Sequence, residues 1–252
     1  MKTSQGIRIK QPNEVDILRK AGKILSSIVV QLQGSLTSGM STKDIDLKAE
    51  ELIRQHKVAA AFKGYRGFPG VACISVNEAV VHGIPGPRVV KNGDIVSVDI
   101  GIIYEGYYSD TAVTVPIGNI PSETQRLLDV THASLLRGIE QARVGNRLSD
   151  ISFAVQSFVE MHGFSVVRDF VGHGIGKQLH EDPEIPNYGR PSEGPVLAEG
   201  MVFAIEPMVN MGTHRTKTLS DGWTVVTEDG KPSAHFEHTI VITSKGPEIL
   251  TK

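Results

Sequence analysis

The chain has 252 residues, of which 40% are hydrophobic and 21% charged, an ordinary composition for a globular protein with a substantial core. Its 26 basic and 28 acidic residues give a formal net charge of −2 without a long run of either sign, which gives no support for nucleic-acid binding. The single cysteine, Cys73, excludes an intramolecular disulfide, and without a signal peptide or an apolar stretch of about 20 residues we predict a soluble, cytoplasmic protein that has no membrane partner.

The first part of the chain is predicted to contain two helices followed by strands. Residues 1–11 are polar and predicted to be extended, and apolar residues at helical spacing predict a helix over 13–33, capped by Asn13 and broken by the glycines that follow. A variant of the capping box predicts a second helix over 41–55. The next predicted elements are a loop rich in glycine and aromatic residues over 62–70, a buried strand over 71–76 and a turn over 80–86.

A β-hairpin is predicted over 94–115, because apolar residues alternate with polar or small ones and residues 105–106 (Glu-Gly) supply a two-residue turn. Two acids lie inside this apolar ribbon, and they share one face whether Asp99 pairs with Asp110 or faces Ala112. Neighbouring buried carboxylates repel each other and lose hydration, so a shared proton or a metal cation is expected to compensate them. The alternative is a hairpin whose acids lie on a solvent-exposed face.

The second part of the chain is predicted to follow the same order of helices and then strands. The segment 181–197 contains four prolines and is predicted to be an irregular loop without helix or strand. The predicted elements are helices over 121–143 and 148–161, a short strand over 166–167, the glycine loop over 172–176, and strands over 201–209 and 235–243.

A weak internal repeat relates the two parts of the chain. After a shift of 106 residues, the glycine, acid and apolar positions of 39–56 fall on similar residues of 145–162, although shared helical spacing alone could produce part of this match. We predict one α+β domain over 1–252 with pseudo-symmetric halves at about 12–118 and 119–250. A doubly wound sheet is less favoured, because its helices and strands would alternate strictly.

Four further residues carry groups that suit catalysis or metal binding. His173 lies between glycines, Glu206 and Glu237 lie in apolar strands, and His180 begins the proline-rich loop. Taken singly, a strand acid often faces solvent, and a histidine in a glycine loop is often structural. Together with the two hairpin acids, however, the set contains four carboxylates and an imidazole, which suit Mg, Mn, Fe, Co or Zn and exceed the needs of one ion. The sequence therefore predicts two divalent cations about 3.5–4 Å apart and metal-assisted hydrolysis.

Seven motifs resemble, in order and spacing from about residue 12 to 250, those of the type I methionine aminopeptidases. The resemblance implies the pita-bread fold, a pseudo-two-fold α+β domain with an antiparallel sheet flanked by helices and with metals in its central crease. It also implies removal of the initiator methionine from nascent proteins when the second residue is small. The motifs lie at 81–85 (VHGIP), 98–101 (VDIG), 108–111 (YSDT), 172–176 (GHGIG), 179–183 (LHEDP), 203–207 (FAIEP) and 236–239 (FEHT).

The resemblance implies a role for each motif residue. Glu206 would be the general base toward the nucleophilic water as well as a ligand. His82 and His180 would bind the substrate amide and assist the departure of the amine. The implied ligands of two divalent ions (Co, Mn, Fe or Zn) are Asp99, Asp110, His173, Glu206 and Glu237, of which Asp110 and Glu237 would bridge the ions.

The resemblance also implies a methionine pocket, since an apolar cleft with aromatic walls suits a flexible thioether. Leu179 departs from the family, in which many members carry an aromatic residue beside the histidine, and the pocket there is expected to be slightly wider. Asn77 and Ser233 match positions that can hold a monovalent cation through backbone carbonyls. The implied pocket residues are Tyr65, Phe68, Cys73, His82, Leu179, His180 and Trp223.

Two other functions compete with this one. A prolidase or aminopeptidase P shares the metal residues, but those enzymes usually carry an N-terminal domain for which this chain has no room, and creatinase-like relatives have lost some ligands. A non-catalytic binding homologue would be favoured by missing ligands or basic tails, and neither is present. Without a zinc-binding extension or a helical insertion, the short bacterial-like form is expected. The expected partners are nascent polypeptide N-termini and transiently the ribosome, with no specific nucleic acid, and the expected state is a monomer.

Overall fold

The fold is described from a computed structural model, which describes residues 6–252. The first five residues of the predicted extended segment therefore lie outside the described residues. None of the helices within 6–252 is both long enough and apolar enough to cross a bilayer. The helices are α1 (Pro12–Ser35), α2 (Thr42–Gln55), α3 (Ser122–Gln141) and α4 (Leu148–Met161).

The helices begin where the sequence provides caps, with one correction. Helix α1 begins at Pro12 rather than after Asn13, because proline is preset for the first helical position and the Gln11 N–H donates to the Glu14 carboxylate at 2.9 Å. Gly34 lies inside this helix and does not break it. Helices α2 and α4 have 14 residues each and begin 106 residues apart, which agrees with the shift of the internal repeat. The boundaries of the two predicted halves stay a prediction.

The strands form one large and two small antiparallel sheets. The large sheet contains β1 (Ala59–Ala60), β2 (Ala72–Val76), β4 (Ile95–Tyr104), β5 (Tyr107–Pro116), β7 (Gly172–Gly174), β8 (Glu181–Ile185), β9 (Val202–Ile205), β14 (Glu237–Thr243) and β15 (Gly246–Ile249). Its strands are neighbours in the order β1-β4-β5-β14-β9-β7-β8, β2 also pairs with β4, and β15 also pairs with β14. The small sheets are β13-β10-β6 and β11-β12-β3, from β3 (Ala79–Val81), β6 (Ser165–Val166), β10 (Met208–Asn210), β11 (Thr216–Thr218), β12 (Val225–Thr227) and β13 (Ser233–His235).

The predicted hairpin is confirmed as β4 and β5, and its register is now fixed. Asp99 faces Ala112, and Asp110 faces Gly101 two residues further on, so both acids lie on one face of the ribbon. Glu105 and the glycine after it both have positive φ, as a two-residue hairpin turn requires. The exposed-face alternative is wrong, because Asp110 is only 4% exposed and apolar residues from α1 and α2 cover the opposite face.

Four predicted segments differ from the structure, mostly at prolines and at sheet changes. The predicted strand over 201–209 is broken at 206–207 (Glu-Pro), because Pro207 has no N–H to continue the ladder and the chain passes from the large sheet to a small one. The strand over 235–243 is broken at Phe236, where the chain passes from a small sheet to the large one. The predicted irregular loop over 181–197 begins with β8, since proline is tolerated in an edge strand, and the predicted turn over 80–86 begins inside β3.

The glycines beside His173 are required by close backbone approach. A Cβ on Gly172 would lie 2.5 Å from the Ala204 carbonyl oxygen, and a Cβ on Gly174 would overlap the Asp182 carbonyl oxygen. Strand β7 can thus lie between β8 and β9 only without side chains at these positions, and this packing aims the histidine at the middle of the large sheet.

We expect Gly174→Ala to lower the free energy of unfolding by about 1–3 kcal/mol, because the added methyl must displace backbone. The control is Gly34→Ala at the penultimate position of helix α1, where no atom beyond the helix's own backbone and the neighbouring residues lies within 4 Å of the added methyl. Alanine at this helix end should leave stability unchanged or raise it by less than about 1 kcal/mol. Urea unfolding of both variants is the measurement, and an unchanged midpoint for Gly174→Ala would contradict the packing argument.

Candidate metal centre and pocket

The five predicted ligands lie on five neighbouring strands of the large sheet. In the order β4-β5-β14-β9-β7, each strand or its end supplies one of them. Ala112 pairs with a ligand on each side, Asp99 on β4 and Glu237 on β14, so the register places these carboxylates in line. The strands supply, in the same order, Asp99, Asp110, Glu237, Glu206 and His173.

The ligand atoms of these residues converge on one volume. One ligand atom each of Asp110, His173 and Glu237 lie within 4.8 Å of one another, and all three residues are buried. His173 Nε2 lies 3.6 Å from a carboxylate oxygen of Glu206. His173 Nδ1 lies 2.9 Å from the Gly174 carbonyl oxygen, which only accepts, so Nδ1 carries the proton and the Nε2 lone pair is left for the site.

The surroundings of the four carboxylates disfavour their ionised form. Burial, reinforced by repulsion from neighbouring carboxylates, raises the pKa of Asp99, Glu206 and Glu237 well above their ordinary values. Burial also raises the pKa of Asp110 to about 7. Burial, with a smaller effect of His180, lowers the pKa of His173 to about 3, which leaves its imidazole neutral.

The donor set fits divalent cations. Within residues 6–252 the ion-pair contacts of these four carboxylates are to two histidines, both at Glu206, and no lysine or arginine pairs with them. One oxygen each of Asp99 and Glu237 is buried without a hydrogen-bond partner. Buried charges that lack protein partners are compensated by metal coordination. Four hard oxygen donors with one neutral imidazole match the preferences of such ions.

A cavity of about 160 Å³ opens beside these ligands. It is smaller than the ~300–1,000 Å³ of sites for drug-sized ligands, so it suits a single side chain. The structure brings every predicted pocket residue to this cavity and adds Phe62 and Arg66, which motif comparison missed. The predicted residues that line it are Tyr65, Phe68, Cys73, His82, Leu179, His180 and Trp223.

Aromatic contacts fix the walls of the cavity. Trp223 meets the Phe68 ring edge-on at 5.2 Å between centroids and the His82 ring at 6.1 Å. The Tyr65 hydroxyl and His180 Nδ1 are hydrogen-bonded at 2.8 Å, which holds that imidazole at the cavity. These direct contacts therefore restrict the side-chain rotamers that the rings can adopt.

Burial lowers the pKa of His82 and His180, the two histidines of the cavity outside the predicted ligand set. Burial, with repulsion from His180, lowers the pKa of His82 to about 4. Burial, with repulsion from Arg66, also lowers the pKa of His180. His82 has a φ of 58°, a left-handed conformation that is costly for a residue with a Cβ and is found preferentially at functional sites.

Sequence reasoning missed His235. Its Nε2 lies 3.5 Å from a Glu206 oxygen, the residue is 1% exposed, and neither ring nitrogen has a hydrogen-bond partner. Burial, with repulsion from His82, lowers its pKa to about 3. The available signal was a histidine two residues before Glu237, which the predicted strand over 235–243 would place on the same face as that acid.

The two residues predicted to hold a monovalent cation are in contact. The Ser233 N–H donates to the Asn77 carbonyl oxygen at 2.9 Å. The Asn77 side chain accepts from the Ile95 N–H and donates to Asp94. The backbone carbonyl of Asn77 thus already has a hydrogen-bond partner within the protein.

We expect a divalent ion to raise the melting temperature more at pH 8 than at pH 6. Raised carboxyl pKa values add stability that is present below the unfolded-state value near 4 and is lost as pH rises through the folded value, about 7 for Asp110. The melting temperature of the metal-free protein should therefore fall between pH 6 and 8. The ion binds the ionised carboxylates and should reverse that loss.

The matched variant is Glu237→Gln, which removes one buried charge from the cluster. It should melt at the same or a higher temperature than the native protein at pH 8 without metal, and gain little from Mn²⁺ or Co²⁺. Thermal scans with and without each ion are the measurement. If the ion raised the melting temperature equally at both pH values, and did so in Glu237→Gln as well, these carboxylates would not be its ligands.

Comparison with known proteins agrees with this geometry. Residues 16–244 match the model of metallopeptidase family M24. A methionine aminopeptidase of Clostridium perfringens is 56% identical over 245 residues, which cover 97% of this chain and 98% of the relative. Methionine aminopeptidase 1 of Bacillus subtilis is 54% identical over 243 residues, covering 96% and 98% respectively.

Solved structures show the same fold. A methionine aminopeptidase of Thermotoga maritima superposes with a TM-score of 0.96 at 48% identity, covering 98% of this chain and 99% of that one. A prolidase of Pyrococcus furiosus superposes with a TM-score of 0.79 at 25% identity, covering 97% of this chain but 65% of the prolidase. The pita-bread fold predicted from the motifs is thereby confirmed.

Proposed function

The chain belongs to metallopeptidase family M24 and, within it, to the methionine aminopeptidases, and from this premise we propose how its residues divide the work of removing an initiator methionine. The enzyme is a peptide hydrolase. The observation that carries the proposal is the convergence of five potential ligands from five adjacent strands beside a cavity for one side chain. The proposed substrates are nascent chains whose second residue is small.

The five candidate ligands would hold two divalent ions: Asp99, Asp110, His173, Glu206 and Glu237. When bound, such ions lower the pKa of water and polarise a carbonyl group. Mn, Co, Fe and Zn all accept this donor set, so availability in the cell would select among them. The carboxylates that remain partly exposed at the cavity, Asp99 among them, would also attract the α-ammonium group of the substrate.

Glu206 would take the proton of the attacking water and pass it to the departing amine. Glu206 lies at the break between β9 and β10, and its side chain lines the cavity. Burial raises the pKa of Glu206 above its ordinary value, which brings its basicity closer to neutral pH.

His82 and His180 would stabilise the negative charge that develops on the scissile carbonyl oxygen. Both imidazoles line the cavity, and their lowered pKa values keep them neutral, so each can donate one N–H without adding a positive charge beside the metal ligands. The Tyr65 hydroxyl would orient the second of them through its hydrogen bond.

The cavity would select methionine by shape and polarisability. A thioether makes favourable contacts with aromatic rings, and Phe68 and Trp223 supply two rings in contact with each other. Leu179, 3% exposed, occupies a position where many family members carry an aromatic ring. The wall there is aliphatic and should tolerate slightly bulkier side chains.

The cellular location is part of the proposal. Cys73 is buried, and burial with nearby carboxylates raises the pKa of its thiol well above the ordinary value, which keeps the thiol unreactive. A single cysteine forms no intramolecular disulfide that would need an oxidising compartment, and the proposed location is the cytoplasm. A monomer that meets nascent chains, transiently at the ribosome, is the proposed working state. Backbone carbonyls at Asn77 and Ser233 are the proposed contacts of a monovalent cation.

We expect the chelator-stripped protein to release methionine from Met-Gly-Met-Met only after addition of Mn, Co, Fe or Zn. The matched peptide Leu-Gly-Met-Met should be cleaved far more slowly, because its branched side chain lacks the thioether. A dipeptide of the Xaa-Pro type tests the prolidase alternative, which 25% identity and partial coverage disfavour. Cleavage of Xaa-Pro but not of the methionyl peptide would replace the proposal, and no cleavage by folded, metal-loaded protein would favour a binding homologue.

We expect Glu206→Gln to lower turnover at least 10³-fold, because the amide cannot accept the proton of water. The fold should remain, as the substitution keeps the side-chain volume and removes a buried charge. The control is Glu228→Gln, an exposed glutamate, which should retain native turnover. Rates are to be compared at saturating metal with circular dichroism as the check of folding. Native turnover in Glu206→Gln would refute its role as base.

A further inference from the structure

A buried ion pair lies directly behind the cavity wall. Lys10 Nζ lies 2.9 Å from a Glu181 oxygen, and the two side chains are 5% and 3% exposed. Desolvation makes such a pair costly unless further hydrogen bonds satisfy both groups. The pair joins the segment before α1 to the first residue of β8.

The second oxygen of Glu181 closes a turn. It accepts hydrogen bonds from the N–H groups of Lys177 at 2.8 Å and Gln178 at 3.3 Å. One carboxylate thus receives three donors, two of them from the backbone of the turn 177–181. Leu179 and His180 lie inside this turn and line the substrate cavity. The side of the turn away from the substrate faces a separate cavity of about 240 Å³, which Lys10 and Glu181 line.

The segment that carries Lys10 is itself held in place. The Lys10 N–H donates to the Gly200 carbonyl oxygen at 2.8 Å, and Ile7 is buried in the core with α3 and β9 residues. Gly176 leaves room for the pair, because a Cβ there would lie 2.7 Å from Lys10 Cε and 2.9 Å from a Glu181 oxygen. The last glycine of the GHGIG motif is therefore fitted to the ion pair, whereas the first two are fitted to backbone.

We propose that Lys10 and Glu181 are positioning residues, which hold Leu179 and His180 against the substrate through the hydrogen-bonded turn 177–181. Neither side chain lines the cavity beside the metal ligands, so each acts through its neighbours. The inference rests on the proposed function for its effect on catalysis, but the fixed turn is a property of the chain that is measurable without activity.

The test replaces both partners at once, because removing one would leave a buried charge unpaired and destabilise the fold. In the variant K10M/E181M the amide hydrogens of Lys177 and Gln178 should exchange with solvent at least tenfold faster. With a methionyl peptide, kcat should fall about tenfold, and affinity for Mn²⁺ should stay within twofold. The matched control, R19M/E248M, replaces the ion pair between α1 and β15 and should change none of these quantities.

A second comparison separates positioning from general loosening. In a His180→Ala background the K10M/E181M replacement should cause no more than a twofold further loss of kcat, because the group that it positions is gone. Gly176→Ala keeps every charge but places a methyl group against the Lys10–Glu181 ion pair, and it should also speed amide-hydrogen exchange at Lys177.

Unchanged exchange at the turn in K10M/E181M would overturn the inference, as would faster exchange with native kcat. An equal loss of kcat with and without His180 would also overturn it. If the native protein itself fails to cleave methionyl peptides, the proposed function falls, and exchange at Lys177 still decides whether the pair fixes the turn.

Discussion

Repulsion among four closely spaced carboxylates, two of them on buried residues, is the constraint on which the rest of this structure depends. The fold brings these charges within a few ångströms although each would be more stable apart. The strands around them must therefore be held by interactions that do not involve the charges. The seam between β5 and β14 supplies part of this, since Thr239 both donates to and accepts from the Asp110 backbone, and the Thr111 hydroxyl donates to the Glu237 carbonyl oxygen.

The strands are interrupted next to the site. At 206–207 the chain passes from β9 of the large sheet to β10 of a small sheet, and at Phe236 it passes from β13 of that small sheet to β14 of the large one. These two changes of sheet accompany the approach of His235 to 3.5 Å from the Glu206 carboxylate. Irregular backbone here serves the site and does not weaken the packing, as the surrounding strands stay buried.

Local signals were sufficient to predict much of the fold. The four helices, the hairpin and its turn follow from caps, periodicity and residues 105–106, because these depend on neighbours in sequence. The strand breaks, β8 and the neighbourhood of His235 depend on pairing between distant segments, for which one sequence carries no local signal. The register of Asp99, by contrast, follows from the two-residue turn at 105–106, which pairs this residue with Ala112. The five candidate ligands and His180 came from acids and histidines in apolar strands and tight loops, and the pocket residues and individual roles came from resemblance to a family. The positions of the ligands on five adjacent strands came from the structure.

Distribution of the ligands over one continuous sheet has a consequence for biosynthesis. Asp110 and Thr239, which bond across the central seam, are 129 residues apart, and Glu237 lies close to the carboxyl terminus. Such non-local pairing raises contact order and slows folding. The five candidate ligands span residues 99–237, so a fragment that ends before Glu237 lacks part of the site. The site can assemble only after β14, the last strand that supplies a ligand, has been translated.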